Sequence, residues 1–324
     1  MTAKKQEVPS LKEQFKTLGK EFFASLKESV HTYKGKAENL KSNVEHIREN
    51  GFDTFNVVTI AEDTYRIGVG MLSNCYLLVG EEEALLIDTG IGWTGLRATV
   101  EKLTDKPVTV VVTHAVPDTV GGAGEFDEVL VAKGDLKLAK FRNKYILRKF
   151  LVLATPGKYL LHLDHDDDMV TEPGNFQVLD EEESFQLGDR KVKVVETPAH
   201  SKGAVSFKDM KTGYLFSGDV CTPVSLMVGL HAVPMKEYER SLKAVEKNVK
   251  NSRNYSTHSP RHLNNAYTYD LRQLVHRAVK RGNNPDELID LMHSEGYRRI
   301  LLYFPTRVSK DSLGDRIKDA LRHD

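Results

Sequence analysis

From Phe55 onward the chain is a succession of short β-rich runs, and several of them end in a turn that carries His or Asp. LLIDTG ends on Asp88, VVVTHAVPDTVGG brings His114 and Asp118, VVETPAHSKGAVSF brings His200, and LFSGD ends on Asp219. NYSTHSP adds His258. A chain punctuated in this way must pack its runs into sheets, and its rigid strand ends then aim side chains from the loops beyond them. His and carboxylate together suit zinc, iron or manganese. A lone His after a strand is more often a hydrogen-bonded structural residue, so the weight lies on the set.

The remaining pattern is α/β. FNVVTI, TYRIGVG, NCYLLVG and EALLIDTG read as strands, and VTVVVTH (108–114) is a nearly continuous β-branched run, as in a strand covered on both faces. FQVLDEE, ESFQLGD, KVKVVETP, AVSFKD and GYLFSGD read as further strands, with DMKTG (209–213) as a hairpin turn. Residues 93–103 and 236–250 read as helices. Before this region, Leu11, Phe15, Leu18, Phe22, Leu26 and Val30 recur at helical spacing within residues 10–48. Their polar face mixes both charge signs, which favours packing on protein, a second subunit included, over a membrane surface. Residues 264–324 read as mostly helical, with Pro285 and Gly296 bounding one helix and Ser309 or Asp311 capping the last.

The order and spacing of the His and Asp stretches resemble the metallo-β-lactamase superfamily over about residues 55–260. That family's Thr-His-x-His-x-Asp-His-x-Gly-Gly motif stands here as Thr113-His114-Ala115-Val116-Pro117-Asp118-Thr119-Val120-Gly121-Gly122. Thr197-Pro198-Ala199-His200-Ser201 and Phe216-Ser217-Gly218-Asp219 resemble two later segments, and His258 and Asp88 fall where the family has a last ligand and a supporting Asp. The resemblance implies an αββα sandwich. It divides the chain into an N-terminal helical extension (1–50), the metallo-β-lactamase-like domain (51–262) and a C-terminal helical segment (263–324). It implies metal ligands at His114, Asp118, His200, Asp219 and His258, with Asp118 catalytic and Asp88 orienting a ligand from behind.

Two of the family's ligand histidines are replaced, by Val116 and Thr119. Valine has no lone pair, and a neutral hydroxyl binds divalent transition metals poorly. One implied position keeps His114, His200 and Asp219, and the other keeps Asp118, Asp219 and His258. Catalytic zinc commonly has three protein ligands, and two His with one carboxylate also hold iron. Two readings follow. One is a metal-dependent hydrolase with a reduced, mononuclear site, acting on a small ester, thioester, lactone or lactam. The other is a catalytically inactive relative with a binding or assembly role.

Other features are weighed against plain alternatives. His162-Leu163-Asp164-His165-Asp166-Asp167-Asp168 reads as a solvated acidic loop, although it is rich in ligand types. Cys221 reads as a small apolar core residue rather than a thiolate ligand. His231, in a loop that lines the pocket in the family, is a candidate substrate contact. Lys+Arg and Asp+Glu are equal at 46 each, so no nucleic-acid partner is expected, and the basic stretch 272–281 carries little weight. With two cysteines, no apolar leader and no run long enough to span a bilayer, the expectation is a cytoplasmic protein that can self-associate through its N-terminal helix.

Overall fold

The computed structural model describes residues 55–69, 73–154, 169–180, 184–222, 224–227, 232–250, 252–259, 261–281 and 300–303. The N-terminal helix, the 162–168 loop, His231 and the helices expected beyond residue 282 lie outside the described residues. Strands β1 (Phe55–Ala61), β2 (Thr64–Val69), β3 (Ser73–Val79), β4 (Ala84–Ile87), β5 (Val108–Val111), β6 (Val129–Ala132) and β7 (Phe176–Leu179) form one sheet in that order. The first four pair antiparallel, and β4 to β7 run parallel. A second sheet has the order β13-β11-β10-β9-β8, built from β8 (Ser184–Gln186), β9 (Lys191–Glu196), β10 (Val205–Asp209), β11 (Leu215–Phe216) and β13 (Asn254–Tyr255).

The side-chain alternation of β3 and β4 generates the layers. Cys75, Leu77, Val79, Ala84 and Leu86 face a core shared with Trp93, Leu96, Val100 and Ala139 on the helical side. Tyr76, Leu78, Leu85 and Ile87 point the other way, against Val192, Val205, Phe207, Phe216 and Tyr255 of the second sheet. A period of two thus covers both faces of one strand. A third core lies beyond the second sheet, where Leu215 meets helices α5 (Met235–Val249) and α6 (Asn265–Arg281) through Tyr238, Leu242, Val245, Leu271 and Val275. The result is an αββα sandwich. Helices α1 (Leu96–Glu101), α2 (Pro117–Val120), α3 (Leu136–Arg142) and α4 (Tyr145–Ala154) belong to the first half.

Two details depart from the sequence reading. The run 108–114 leaves the ladder after Val111, so its last three residues form the turn that carries His114. Ile300–Tyr303, inside the stretch read as mostly helical, is a strand (β14) paired in parallel with β12 (Val224–Met227). Its aliphatic and aromatic run suits a strand, but the pairing partner is remote in sequence. The two main sheets are pinned at one edge by Arg190, which is fully buried. It donates to both Asp209 oxygens at 3.1 and 2.7 Å, to Thr64 Oγ1 at 2.7 Å and to the Asp63 and Val79 carbonyls at 2.9 and 3.2 Å.

Candidate metal centre

The strand ends converge. Beyond β4, Asp88 takes a left-handed backbone (φ 66°) that turns its carboxylate under the loop after β5. There it accepts Thr113 N–H at 2.7 Å and the Thr113 hydroxyl at 3.0 Å. The same hydroxyl lies 2.9 Å from His114 Nδ1. Where Asp88 is ionised it takes the hydroxyl's one proton, and the hydroxyl can then only accept from Nδ1–H. In neutral His114 that fixes the tautomer and leaves the Nε2 lone pair facing the site. Burial pushes the Asp88 pKa up to about 7, against the opposing pull of His114 and the Thr113 donors.

Asp219 reaches the same point from β11. Gly218 takes φ 54°, and a Cβ there would sit 2.6 Å from Thr113 Oγ1, so only glycine lets β11 end so close to the His114 turn. His114 Nε2 is 3.3 Å from Asp219 Oδ2, and the His114 and His200 rings meet edge to face at 5.7 Å between centroids. The ligand atoms of His114, His200 and Asp219 all lie within 4.8 Å of one another. Among the described residues these three form a group able to hold a metal ion. Two of their atoms, His114 Nε2 and Asp219 Oδ1, are buried without a hydrogen-bond partner. Two buried electron-pair donors left without a hydrogen bond inside one compact group fit a cation.

Asp118 and His258 stand alongside. His258 Nε2 is 3.3 Å from Asp118 Oδ2 and 3.3 Å from Asp219 Oδ2, and all three side chains keep some exposure. Burial alone would raise the Asp219 pKa. The positive charges of His258 and His114 outweigh it and hold the carboxyl well below its usual range. His114 is raised above the ordinary imidazole value, because Asp219 and Asp88 overcome the effect of its burial. The replaced positions contribute nothing. Val116 is buried. The Thr119 hydroxyl turns back into the chain, accepting Val116 N–H at 3.2 Å and donating to the His114 carbonyl at 2.6 Å.

The sequence profile described as the metallo-beta-lactamase superfamily matches residues 68–249. The chain belongs to the metallo-beta-lactamase superfamily. Among curated relatives, the human and bovine proteins named acyl-coenzyme A thioesterase MBLAC2 are each 28% identical over 204 residues, covering 56% of this chain and 71% of theirs. A metallo-beta-lactamase family protein of Thermus thermophilus, TTHA1429, superposes with a TM-score of 0.51 at 22% identity, over 68% of this chain and 82% of its own. That likeness concerns the fold.

The candidate ligands His114, His200 and His258 sit on loops, and three residues missed by the sequence reading hold those loops. Asp135, 1% exposed, accepts Ala115 N–H at 2.9 Å, Ser201 Oγ–H at 2.5 Å and Gly203 N–H at 2.9 Å. It thereby clamps the His114 and His200 loops together. Asn74 Nδ2 donates to the carbonyls of Thr257 (2.7 Å) and Ser259 (3.1 Å), on either side of His258, and Tyr76 donates to that of Ser256 at 2.7 Å. Their partners are distant in sequence, so no local spacing could disclose them. Cys221 is buried, its Sγ 3.5 Å from Thr268 Oγ1 on α6, and does not join the metal-competent group. Arg272, in the basic stretch, pairs with Glu246 across the α5–α6 contact. Among the described residues no helix is long and apolar enough to cross a membrane.

Proposed function

We propose that this protein is a mononuclear metal-dependent hydrolase of thioesters, with the metal, zinc by preference, held by His114, His200 and Asp219. The carrying observation is the pair of buried, unpartnered atoms His114 Nε2 and Asp219 Oδ1 within that compact group. A bound zinc ion would supply Lewis acidity and acidify water beside the substrate carbonyl. The chain's own residues divide the remaining work. Asp118 Oδ2 accepts the proton of the attacking water. His258, 3.3 Å away, holds that carboxylate in position. Thr113, backed by Asp88, keeps His114 in the tautomer that presents Nε2.

The thioester class rests on chemistry and on relatives. Thiols ionise near pH ~8.5, so a thiolate departs with little help from an acid, whereas a lactam nitrogen must be protonated. A centre that lacks two of its usual histidines suits the easier leaving group. The human and bovine relatives are named as acyl-coenzyme A thioesterases.

The test is metal content per chain in the untagged protein, followed by thiol release from acyl thioesters, with His200→Ala as control. Near-stoichiometric metal and thiol release, both lost in the control, are expected. A folded protein that takes up no metal on reconstitution and releases no thiol would sink the reading in favour of an inactive binding protein. Val116→His with Thr119→His should tighten zinc binding by on the order of 100-fold or more, since even outer-shell losses cost 10–100-fold.

A further inference from the structure

We propose that the corner between α3 and α4 is a docking surface for an anionic lipid membrane. Between Lys133 and Lys149 every charged residue except Asp135 is Lys or Arg, and of these only Arg148, bonded to the Asn143, Ile91 and Val170 carbonyls, is buried away from the surface. Asp135 cannot neutralise them at the surface, because it is buried and its carboxylate is committed to Ala115, Ser201 and Gly203. The bias is local, since the whole chain carries 46 basic and 46 acidic residues.

An apolar tip stands inside this basic field. The chain turns at Asn143, whose side chain is buried and donates to the Val120 carbonyl at 2.7 Å. Phe141 and Ile146 flank that turn at 55% and 72% exposure, the two highest values among the exposed large hydrophobic side chains described. Lys144 Nζ lies 5.4 Å from the Phe141 ring centroid, and Lys149 Nζ lies 5.6 Å from that of Tyr145. Each amine therefore borders an aromatic ring at this corner.

Lysines around an aromatic and aliphatic tip match a bilayer interface. Their stems lie along apolar surface while the amines meet phosphate and serine headgroups, and Phe and Ile enter below. Ile146 decides between occupants. A nucleic acid would answer the lysines and leave the aliphatic tip without a role, whereas a bilayer answers both. Arg142, next to Phe141, donates to the Ala115 carbonyl at 2.9 Å, in the turn that carries His114 and Asp118. A docked membrane would thus lie beside the rim of the metal centre. The proposal does not depend on what that centre hydrolyses.

The experiment is co-sedimentation of the full chain with vesicles of phosphatidylcholine, alone or mixed with phosphatidylserine. Binding is expected only with phosphatidylserine, and weaker in high salt. Lys140→Glu with Lys144→Glu should cut partitioning at least ~25-fold, on the order of fivefold per lysine. Phe141→Ser with Ile146→Ser should cut it by about tenfold or more at unchanged charge. Circular dichroism checks that both variants fold. The proposal is overturned if the parent protein ignores phosphatidylserine, if it binds phosphatidylcholine equally, or if the charge variant binds as well as the parent. Full binding by the Phe141/Ile146 variant also overturns it, and reassigns the patch to a purely ionic partner.

Discussion

Thr113 is one hydroxyl shared between Asp88 and His114, and its single proton sets how the centre presents itself. Thr113→Val keeps the shape of the side chain and removes the relay. Zinc affinity should fall by about 10–100-fold, as for other groups that orient a ligand from behind, and Thr113→Ser should restore it. Competition with a chromogenic chelator measures both. Asp88 itself predicts a pH effect in chelator-treated protein. Its folded pKa of about 7 lies above an unfolded value of about 4, so between those pH values the folded state holds the extra proton. Asp88 therefore favours folding below about pH 4, and that contribution is lost as pH rises towards 7, at up to about 1.4 kcal/mol per pH unit. The stability of the parent relative to Asp88→Asn should decline over that range in urea titrations. No change in the difference would show that burial does not govern Asp88. The sequence disclosed His114 and Asp219 because each follows a recognisable strand. It did not disclose that Thr119 turns its hydroxyl into the backbone, because a side-chain rotamer is set by local carbonyls rather than by spacing.

Strand runs and the helices read within 93–103 and 236–250 were legible as elements, since their apolar periods of two and 3.6 survive in the folded chain, although the first is only Leu96–Glu101. What ties elements to one another was not. Asp135 lies between β6 and α3 in a stretch with no motif, yet it joins the His114 turn to the His200 turn through three hydrogen bonds. Asp135→Ala leaves two buried backbone N–H groups and a hydroxyl without an acceptor, and each such loss costs about 1–3 kcal/mol. A fall in stability of a few kcal/mol is expected in denaturant titration, with zinc affinity falling alongside as the two loops part. Asp135→Asn, which keeps an acceptor oxygen, should recover part of both. Gly121 shows the same dependence on close approach. A Cβ there would lie 2.1 Å from the Ile91 carbonyl, so Gly121→Ala must push the motif away from the loop after β4.

The αββα arrangement of the described residues is built on alternation in β3 and β4, but the contact pinning its two sheets runs through Arg190, which a buried ion pair holds in place and no pattern announces. Arg190 and Asp209 are fully buried, with Nη2 2.7 Å from Oδ2. Burial pushes the Asp209 carboxyl up, and the Arg190 guanidinium with the Thr212 hydroxyl outweighs it, holding it below the usual carboxylate range. Asp209 therefore contributes stability that is present above the unfolded carboxylate pKa and lost as pH falls through its lower folded value. Whether the pair is a net gain over apolar packing is a separate matter, because each charge was stripped of water. Arg190→Met alone strands a buried carboxylate beside the Lys211 and Thr212 amides and should cost about 3–5 kcal/mol. Asp209→Leu alone strands a guanidinium that keeps its bonds to Thr64 Oγ1 and to the Asp63 and Val79 carbonyls, so it should cost less. The double variant should cost far less than the sum of the two single ones, because no unpaired charge remains. Urea unfolding of all four proteins above pH ~5, where a free carboxylate is ionised, gives the coupling between the sites. Strict additivity would mean that Arg190 and Asp209 do not stabilise one another and that Arg190 acts through its Thr64, Asp63 and Val79 contacts alone.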